Sequence, residues 1–291
     1  MKNSSTKTLG RIKIYLFILI FSCIFSPLLK ADIVLNFGVY TSDKPTEMIK
    51  KFRPAMNYLQ QKMTLATGEK VTIKIQVAKS YQQGLYDLVS GKVDFSRFGP
   101  ASYILAKEQD NNISIIAIES KKGKKQFFGL ICAASNSPIN SIKDLNNKRF
   151  AFGNKRSTIG RYLAQTYLLN EGIKANNLKQ YKYLGRHDKV AMAVANGQYD
   201  AGALKEGTYT KLVKKGVQLK VLAKFPNVTK PWIASSQLDK TLLQKLRTIL
   251  LETTDKKVLK SLSKDGFLIG NDKDYQIIRE SMADNFKFFE S

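Results

Sequence analysis

The 291-residue sequence is 43% hydrophobic and 10% aromatic, which is enough to fill a sizeable core and excludes a disordered chain. Lys and Arg outnumber Asp and Glu by 48 to 23, giving a formal net charge of +25. This charge is typical of a protein with an anionic partner, such as a nucleic acid, an anionic membrane surface or a small anion. Alternatively, the scattered lysines merely keep the protein soluble.

Residues 1–31 are predicted to form a signal peptide. Four basic side chains precede the apolar run Ile14–Phe25, which is too short to span a bilayer comfortably. Ala31 supplies the small residue at the expected cleavage point, so the mature chain begins at Asp32 and is predicted to be periplasmic. Cys23 leaves open a second, less favoured hypothesis, in which a lipid anchors the protein.

In residues 32–124, short strand-like runs alternate with helical patterns, which indicates an α/β fold with parallel strands. The predicted strands are Ile33–Tyr40, Val71–Val77, Val93–Phe98 and Ile113–Glu119. The predicted helices are Pro45–Met63, Tyr81–Ser90 and Ala101–Gln109. The polar stretch Lys121–Lys125 then interrupts the pattern, and a second series begins.

The second series repeats the alternation of strands and helices. Its predicted strands are Phe127–Ser135, Arg149–Phe152, Gln180–Leu184, Ala201–Leu204, Val217–Phe225 and Trp232–Ala234. Its predicted helices are Ile159–Glu171, Lys189–Asn196, Leu242–Thr253 and Tyr275–Phe289. Cys132 is the only cysteine of the predicted mature chain and lies in an apolar run, so we expect a buried strand residue and no disulfide. With one histidine besides, no zinc site is predicted.

Three junctions between a strand and a helix carry residues suited to an anion. They are residues 97–103, 152–160 and 185–189, where glycines, hydroxyl side chains or His187 stand at the start of a helix. The free N–H groups and partial positive charge of a helix N-terminus bind anions. Each junction alone is equally typical of an ordinary helix cap, but the three together indicate a binding site.

No catalytic motif stands out in the sequence. We find no Gly-x-Ser-x-Gly elbow, no phosphate loop ending in Gly-Lys-Ser/Thr and no recognisable carboxylate pair. The chain is therefore predicted not to be an enzyme, although an exported hydrolase acting through Ser157 or His187 on an anionic substrate stays as an alternative. A nucleic-acid-binding protein is disfavoured because the lysines are scattered and the chain carries an export signal.

The segments Val93–Tyr103, Phe152–Gly160, Gly185–Asp188 and Ala193–Gly197 resemble the phosphate-, phosphite- and phosphonate-binding subunits of ABC importers. The resemblance covers nearly the whole predicted mature chain. It implies a type II periplasmic binding protein fold, with two α/β lobes, mixed sheets, flanking helices and a ligand cleft between the lobes. One lobe is expected to comprise 32–124 and 226–291, and the other 125–225. The resemblance also implies that the chain returns to the first lobe at Leu222–Trp232.

The resemblance implies ligand contacts from the first lobe. Tyr40 and Phe98 are expected to wall the cleft, and Ser102 to contact the anion near the start of its helix. Some phosphonate binders of the family carry a hydroxyl-bearing aromatic residue in place of Phe98, so recognition of an aminoalkyl tail is not implied here. Instead, Arg97 and the pair Lys155–Arg156 favour a compact, fully oxygenated anion.

The second lobe is expected to supply the other contacts. Ser157 and Thr158 would bind ligand oxygens through hydroxyl and backbone N–H groups, and Gly160 would allow close approach. His187 and Asp188 would complete the site, where Asp188 either accepts a proton from a partly protonated ligand or caps its helix. The resemblance implies no cofactor and no metal.

The expected function is solute binding by hinge closure on a small phosphorus oxyanion. The partner that reads the closed form is expected to be an ABC permease, with a periplasmic sensor feeding a histidine kinase as the alternative. We expect a monomer. The sequence does not choose among phosphate, phosphite and phosphonate.

Overall fold

The computed structural model describes residues 32–290. The predicted signal peptide, including Cys23, lies outside the described residues. Within this range no helix is both long and apolar enough to cross a membrane.

The first part of the chain alternates strand and helix as predicted. Its elements are β1 (Ile33–Tyr40), α1 (Pro45–Thr67), β2 (Val71–Ala78), α2 (Tyr81–Val89), β3 (Phe95–Arg97), α3 (Pro100–Gln109) and β4 (Ser114–Ser120). Helix α2 begins after Ser80, whose side chain accepts a hydrogen bond from the Gln83 N–H. Helix α3 begins at Pro100, where the missing N–H costs nothing.

The middle of the chain forms a second series. Its elements are β5 (Gln126–Ala134), β6 (Arg149–Phe152), α4 (Leu163–Asn170), β7 (Gln180–Tyr183), α5 (His187–Ala195), β8 (Ala201–Lys205), α6 (Glu206–Val213) and β9 (Leu219–Val228). A π-helical turn, Thr158–Tyr162, leads into α4. The predicted helix at Ile159–Glu171 therefore starts in a different geometry.

The rest of the chain contains β10 (Pro231–Ala234), α7 (Lys240–Leu251), α8 (Lys256–Leu262), β11 (Gly266–Leu268) and α9 (Gln276–Ala283). Sequence reasoning missed α6, α8 and β11, which are too short to show a clear hydrophobic period. The predicted helix Tyr275–Phe289 is wrong as one element, because α9 lies between two 3₁₀ turns, Asp272–Tyr275 and Asp284–Phe288.

Two mixed sheets organise the molecule into two lobes. The six-stranded sheet has the order β11-β4-β10-β3-β1-β2 and the five-stranded sheet the order β7-β6-β8-β5-β9. The βα units pair in parallel, as β1 does with β2 and β3. Strand β10 runs antiparallel to β3 and β4, and β5 antiparallel to β8 and β9. The predicted two-lobed α/β fold with mixed sheets is confirmed.

Each lobe has its own aromatic core. In the first, Phe37 packs against Phe52, Phe95 and Trp232, which are all fully buried. In the second, Phe150 and Phe152 pack against residues of β5, β8 and α4. Cys132 is buried, as predicted, and burial raises its thiol pKa to about 12.

The end of the chain contacts both lobes, with Tyr275 and Ile278 packed in the first lobe. Phe288 lies in the core of the second lobe, with its ring 5.8 Å from that of Phe152. The hydroxyls of Ser281 and Thr166 lie 2.7 Å apart, and the Asn285 amide donates to Gln165 at 2.8 Å. The apolar face of this segment therefore bridges the two lobes.

Candidate functional site

A cavity lies between the two lobes. The first lobe contributes Tyr40, Tyr81, Gly99 and Pro100. The second lobe contributes Phe127, Ser157, Thr158, Ile159, His187 and Lys205. Asn227 lies near the end of β9, and Lys230 directly precedes β10. The cavity thus has two lobe walls and a third wall, which we call the crossover wall and define by Asn227 and Lys230.

Tyr40, at the end of β1, forms part of the first-lobe wall. Its hydroxyl donates to Ser102 Oγ at 3.0 Å and accepts from the Gly99 N–H at 2.7 Å. Its ring stacks on Tyr81 with 3.9 Å between centroids. Burial raises the pKa of Tyr40, so the hydroxyl stays neutral. These bonds fix the start of α3 against β1.

Ser157 and Thr158 stand where β6 gives way to the π-helical turn. The Ser157 hydroxyl accepts from the Gly160 N–H at 2.9 Å, so Ser157 opens the turn as the sequence predicted. Thr158 Oγ1 accepts from the Ala101 N–H at 2.9 Å. This bond joins the second lobe to a free donor in the first turn of α3, and it exists only while the lobes are closed together.

His187 begins α5 and is 5% exposed. Its backbone N–H donates across the cleft to the Ser42 carbonyl at 3.2 Å, and its Nδ1 has no partner within residues 32–290. Burial lowers the imidazole pKa to about 3, helped by Lys205 and Lys230. The ring is therefore neutral at physiological pH and offers a hydrogen-bond donor and an acceptor.

Four predicted residues do not line the cavity. Phe98 is buried behind Tyr40, with ring centroids 5.1 Å apart, and the Ser102 hydroxyl is taken up by Tyr40. Gly160 lies close to the backbone of Gly153 instead of a ligand, because a Cβ at Gly160 would be only 2.8 Å from Gly153 Cα.

Asp188, the fourth of these residues, forms a two-bond ion pair with Arg186, with distances of 3.0 and 2.9 Å. Of the two roles expected for Asp188, the capping of α5 is wrong, because Arg186 occupies the N-cap position and no side chain caps the helix. Asp188 lies two positions after the N-cap residue, so its side chain does not cap the helix.

Arg97 also stays outside the cavity, although the sequence suggested a role in anion selection. It is bound to Glu119 through Nε at 2.7 Å and Nη2 at 2.8 Å, in a pair that is almost wholly buried. The guanidinium donors of this pair therefore bind within the first lobe and do not face the ligand.

The sequence analysis missed Tyr81, Lys205, Asn227 and Lys230. Lys205 ends β8 and forms an ion pair with Asp43 of the first lobe, whose other oxygen accepts from the Thr208 hydroxyl at 3.1 Å. No local motif marks these residues. The available signal was positional: Tyr81 begins α2, Lys205 ends β8, and Asn227 and Lys230 lie in the predicted return of the chain to the first lobe.

The arrangement suits a small anion held by hydroxyl, imidazole, amide and ammonium groups. Throughout the described part of the chain, no group of three or more His, Cys, Asp or Glu side chains is placed to hold a metal ion.

A family model described as "ABC transporter, phosphonate, periplasmic substrate-binding protein" matches residues 37–275. Among curated proteins, a probable ABC transporter phosphite-binding protein, PhnD1 of Prochlorococcus marinus, is 25% identical, over 90% of this chain and 93% of its own length. The phosphate-import protein PhnD of Mycolicibacterium smegmatis is 26% identical, over 81% of this chain and 76% of its own.

Solved structures share the fold. The structure of P. marinus PhnD1 in complex with methylphosphonate superposes with a TM-score of 0.76 at 23% identity, covering 86% of this chain and 97% of that one. The two-lobed architecture is therefore common to both chains.

Proposed function

The chain belongs to the family of periplasmic substrate-binding proteins of phosphonate ABC transporters, and from this premise we propose that it captures a small phosphorus oxyanion between its lobes for an ABC permease. The observation that carries the proposal is the cavity between the lobes, with hydroxyls from Ser157 and Thr158, the His187 ring and two lysines. Relatives named for phosphite and phosphate, and one solved with methylphosphonate, support this ligand class.

Hinge closure is the proposed mechanism. Among the contacts that link the lobes, three lie beside cavity residues of the second lobe: Ala101 N–H to Thr158, His187 N–H to Ser42, and Lys205 to Asp43. Opening the hinge breaks all three. An anion that touches both lobes binds only the closed form well, and this difference in affinity shifts the population toward closure.

The lobe boundaries are part of the proposal. Assigning 32–124 and 226–291 to one lobe and 125–225 to the other agrees with the membership of β1–β4, β10 and β11 in one sheet and β5–β9 in the other. Strand β9 reaches Val228, so the crossover itself lies at 229–230.

We also propose export, with residues 1–31 as the signal peptide, since the family is periplasmic. The mass of the protein recovered from the producing cell tests it: a chain starting at Asp32 supports cleavage at Ala31. A lipid-modified chain starting at Cys23 overturns it in favour of the anchored form.

Calorimetric titration and thermal shift in phosphate-free buffer test the binding function. We expect phosphate, phosphite or methylphosphonate to raise the melting temperature, because a ligand that binds only the folded state stabilises it by mass action. Ser157→Ala and His187→Ala should each weaken binding about 10-fold or more, through loss of a hydrogen bond to a charged ligand. Thr210→Ala, on an exposed face of α6, is the matched control. Absence of binding by every phosphorus oxyanion, or turnover of a phosphoester dependent on His187, overturns the proposal.

A further inference from the structure

The crossover wall contains polar groups that the protein itself leaves unmatched. Asn227 is 4% exposed, and neither its amide Nδ2 nor its Oδ1 has a partner within residues 32–290. A buried amide without partners is costly, and native structures contain few such groups. Together with the unpartnered His187 Nδ1, which lies on the same cavity, Asn227 indicates a ligand that bonds to both.

Lys230 is an unpaired cation in the same wall. No carboxylate of residues 32–290 lies within 4 Å of its ammonium, which sits 5.7 Å from the centre of the Phe127 ring. The neighbouring acids are paired with other cations: Glu119 binds Arg97 and Lys264, and Asp43 binds Lys205. The lining of the cavity contains no Asp or Glu. A partly buried ammonium without a counter-ion is stabilised by an anion from outside.

The charges that face Lys230 come from several elements. They are Lys51 on α1, Arg97 on β3, Glu119 on β4, Lys205 on β8, Asp43 and the neutral His187. Burial lowers the pKa of Lys230 well below its ordinary value, and Arg97, Lys205 and Lys51 lower it further. An anion bound in the cavity acts in the opposite direction and restores the charged form.

We infer that Lys230 and Asn227 select the charge state of the ligand, so that the site takes a small oxyanion as its dianion and rejects a monoanion of the same shape. This inference rests on the proposed function and narrows it. The cavity supplies donors and positive charge but no carboxylate to accept a proton from the ligand. A phosphonate dianion therefore fits it better than the isosteric sulfonate, which carries one charge fewer.

The discriminating experiment compares methylphosphonate with methanesulfonate by calorimetric titration at about pH 9, where the phosphonate is largely dianionic. The wild-type protein should prefer methylphosphonate by about 10- to 100-fold, as expected for one charge-assisted contact. Lys230→Met should remove most of this preference by weakening methylphosphonate alone, whereas Lys230→Arg should keep it. Lys148→Met, on an exposed site, is the matched control.

Two further measurements keep the test independent of the folding of one variant. Asn227→Asp has nearly the same shape and should weaken methylphosphonate more than methanesulfonate, because its carboxylate repels the dianion more. Titration of the wild type in buffers of different ionisation enthalpy should show proton uptake on binding of methylphosphonate, reduced in Lys230→Met.

The outcomes separate the two proposals. Equal affinity of the wild type for both ligands, or an unchanged preference in Lys230→Met, overturns charge selection and leaves the binding function standing. Failure of the wild type to bind any phosphorus oxyanion overturns both.

Discussion

Arg97 and Lys230 are neighbouring cations near the boundary between the lobes, but they are neutralised differently. Arg97 on β3 has a carboxylate partner, Glu119, in a buried pair with two hydrogen bonds. Lys230, in the adjacent crossover segment, has no carboxylate partner among the described residues, although it lies on the cavity. The comparison teaches that burial of a charge alone does not mark a binding site. An unmatched charge on a cavity does, because the protein leaves its neutralisation to a ligand.

The largest expected effect comes from breaking the matched pair. Glu119→Gln leaves the Arg97 charge buried without its counter-ion, so the free energy of unfolding should fall by about 3–5 kcal/mol. Urea unfolding followed by the fluorescence of Trp232, which is fully buried, measures this. Glu47→Gln is the matched control, because its pair with Lys211 is solvent-exposed and should contribute nothing measurable. Equal losses of stability in the two variants would show that Glu119 is not the counter-ion that keeps the buried Arg97 charge stable.

Lys205 provides an intermediate case, since its partner Asp43 belongs to the opposite lobe. Burial raises the pKa of Asp43, but Lys205 outweighs it and lowers that pKa from 3.8 to about 2. The pair therefore contributes fully above pH 3.8, and its contribution, about 2 kcal/mol at most, is lost as the pH falls through about 2.

The difference in unfolding free energy between wild type and Asp43→Asn, measured from pH 5 down to 2, checks this prediction. It should shrink over the acid part of the range. A constant difference would mean that the Asp43 carboxylate is not held by Lys205.

The smallest expected effect is a gain in stability. Lys230→Met removes an unpaired ammonium from the cavity wall, so the ligand-free protein should melt a few degrees higher. Because the pKa of Lys230 is lowered, the penalty is complete below that lowered value and vanishes toward the ordinary value of 10.5. The advantage of the variant should therefore shrink as the pH rises. A lower melting temperature at neutral pH would show that Lys230 is already neutralised within the fold.

Local sequence determined much of this protein. Alternating strand and helix patterns predicted the βα units. The hydroxyls of Ser157 and Thr158 and the ring of His187 were predicted to bind an anion because helix starts suit anions, and the family resemblance implied that they face the cleft. The return of the chain near Trp232 was also predicted, as was the buried Cys132. These features depend on residues that are close in sequence.

The tertiary structure alone decided which polar groups remain free. In the folded chain Ser102 is bonded to Tyr40, Arg97 is paired with Glu119 and Asp188 is paired with Arg186. It also brought Asn227 and Lys230, which carry no motif, to the same cavity as His187. Whether a side chain is satisfied depends on partners that are distant in sequence, and the chain places those partners only when the two lobes and the crossover between them have folded.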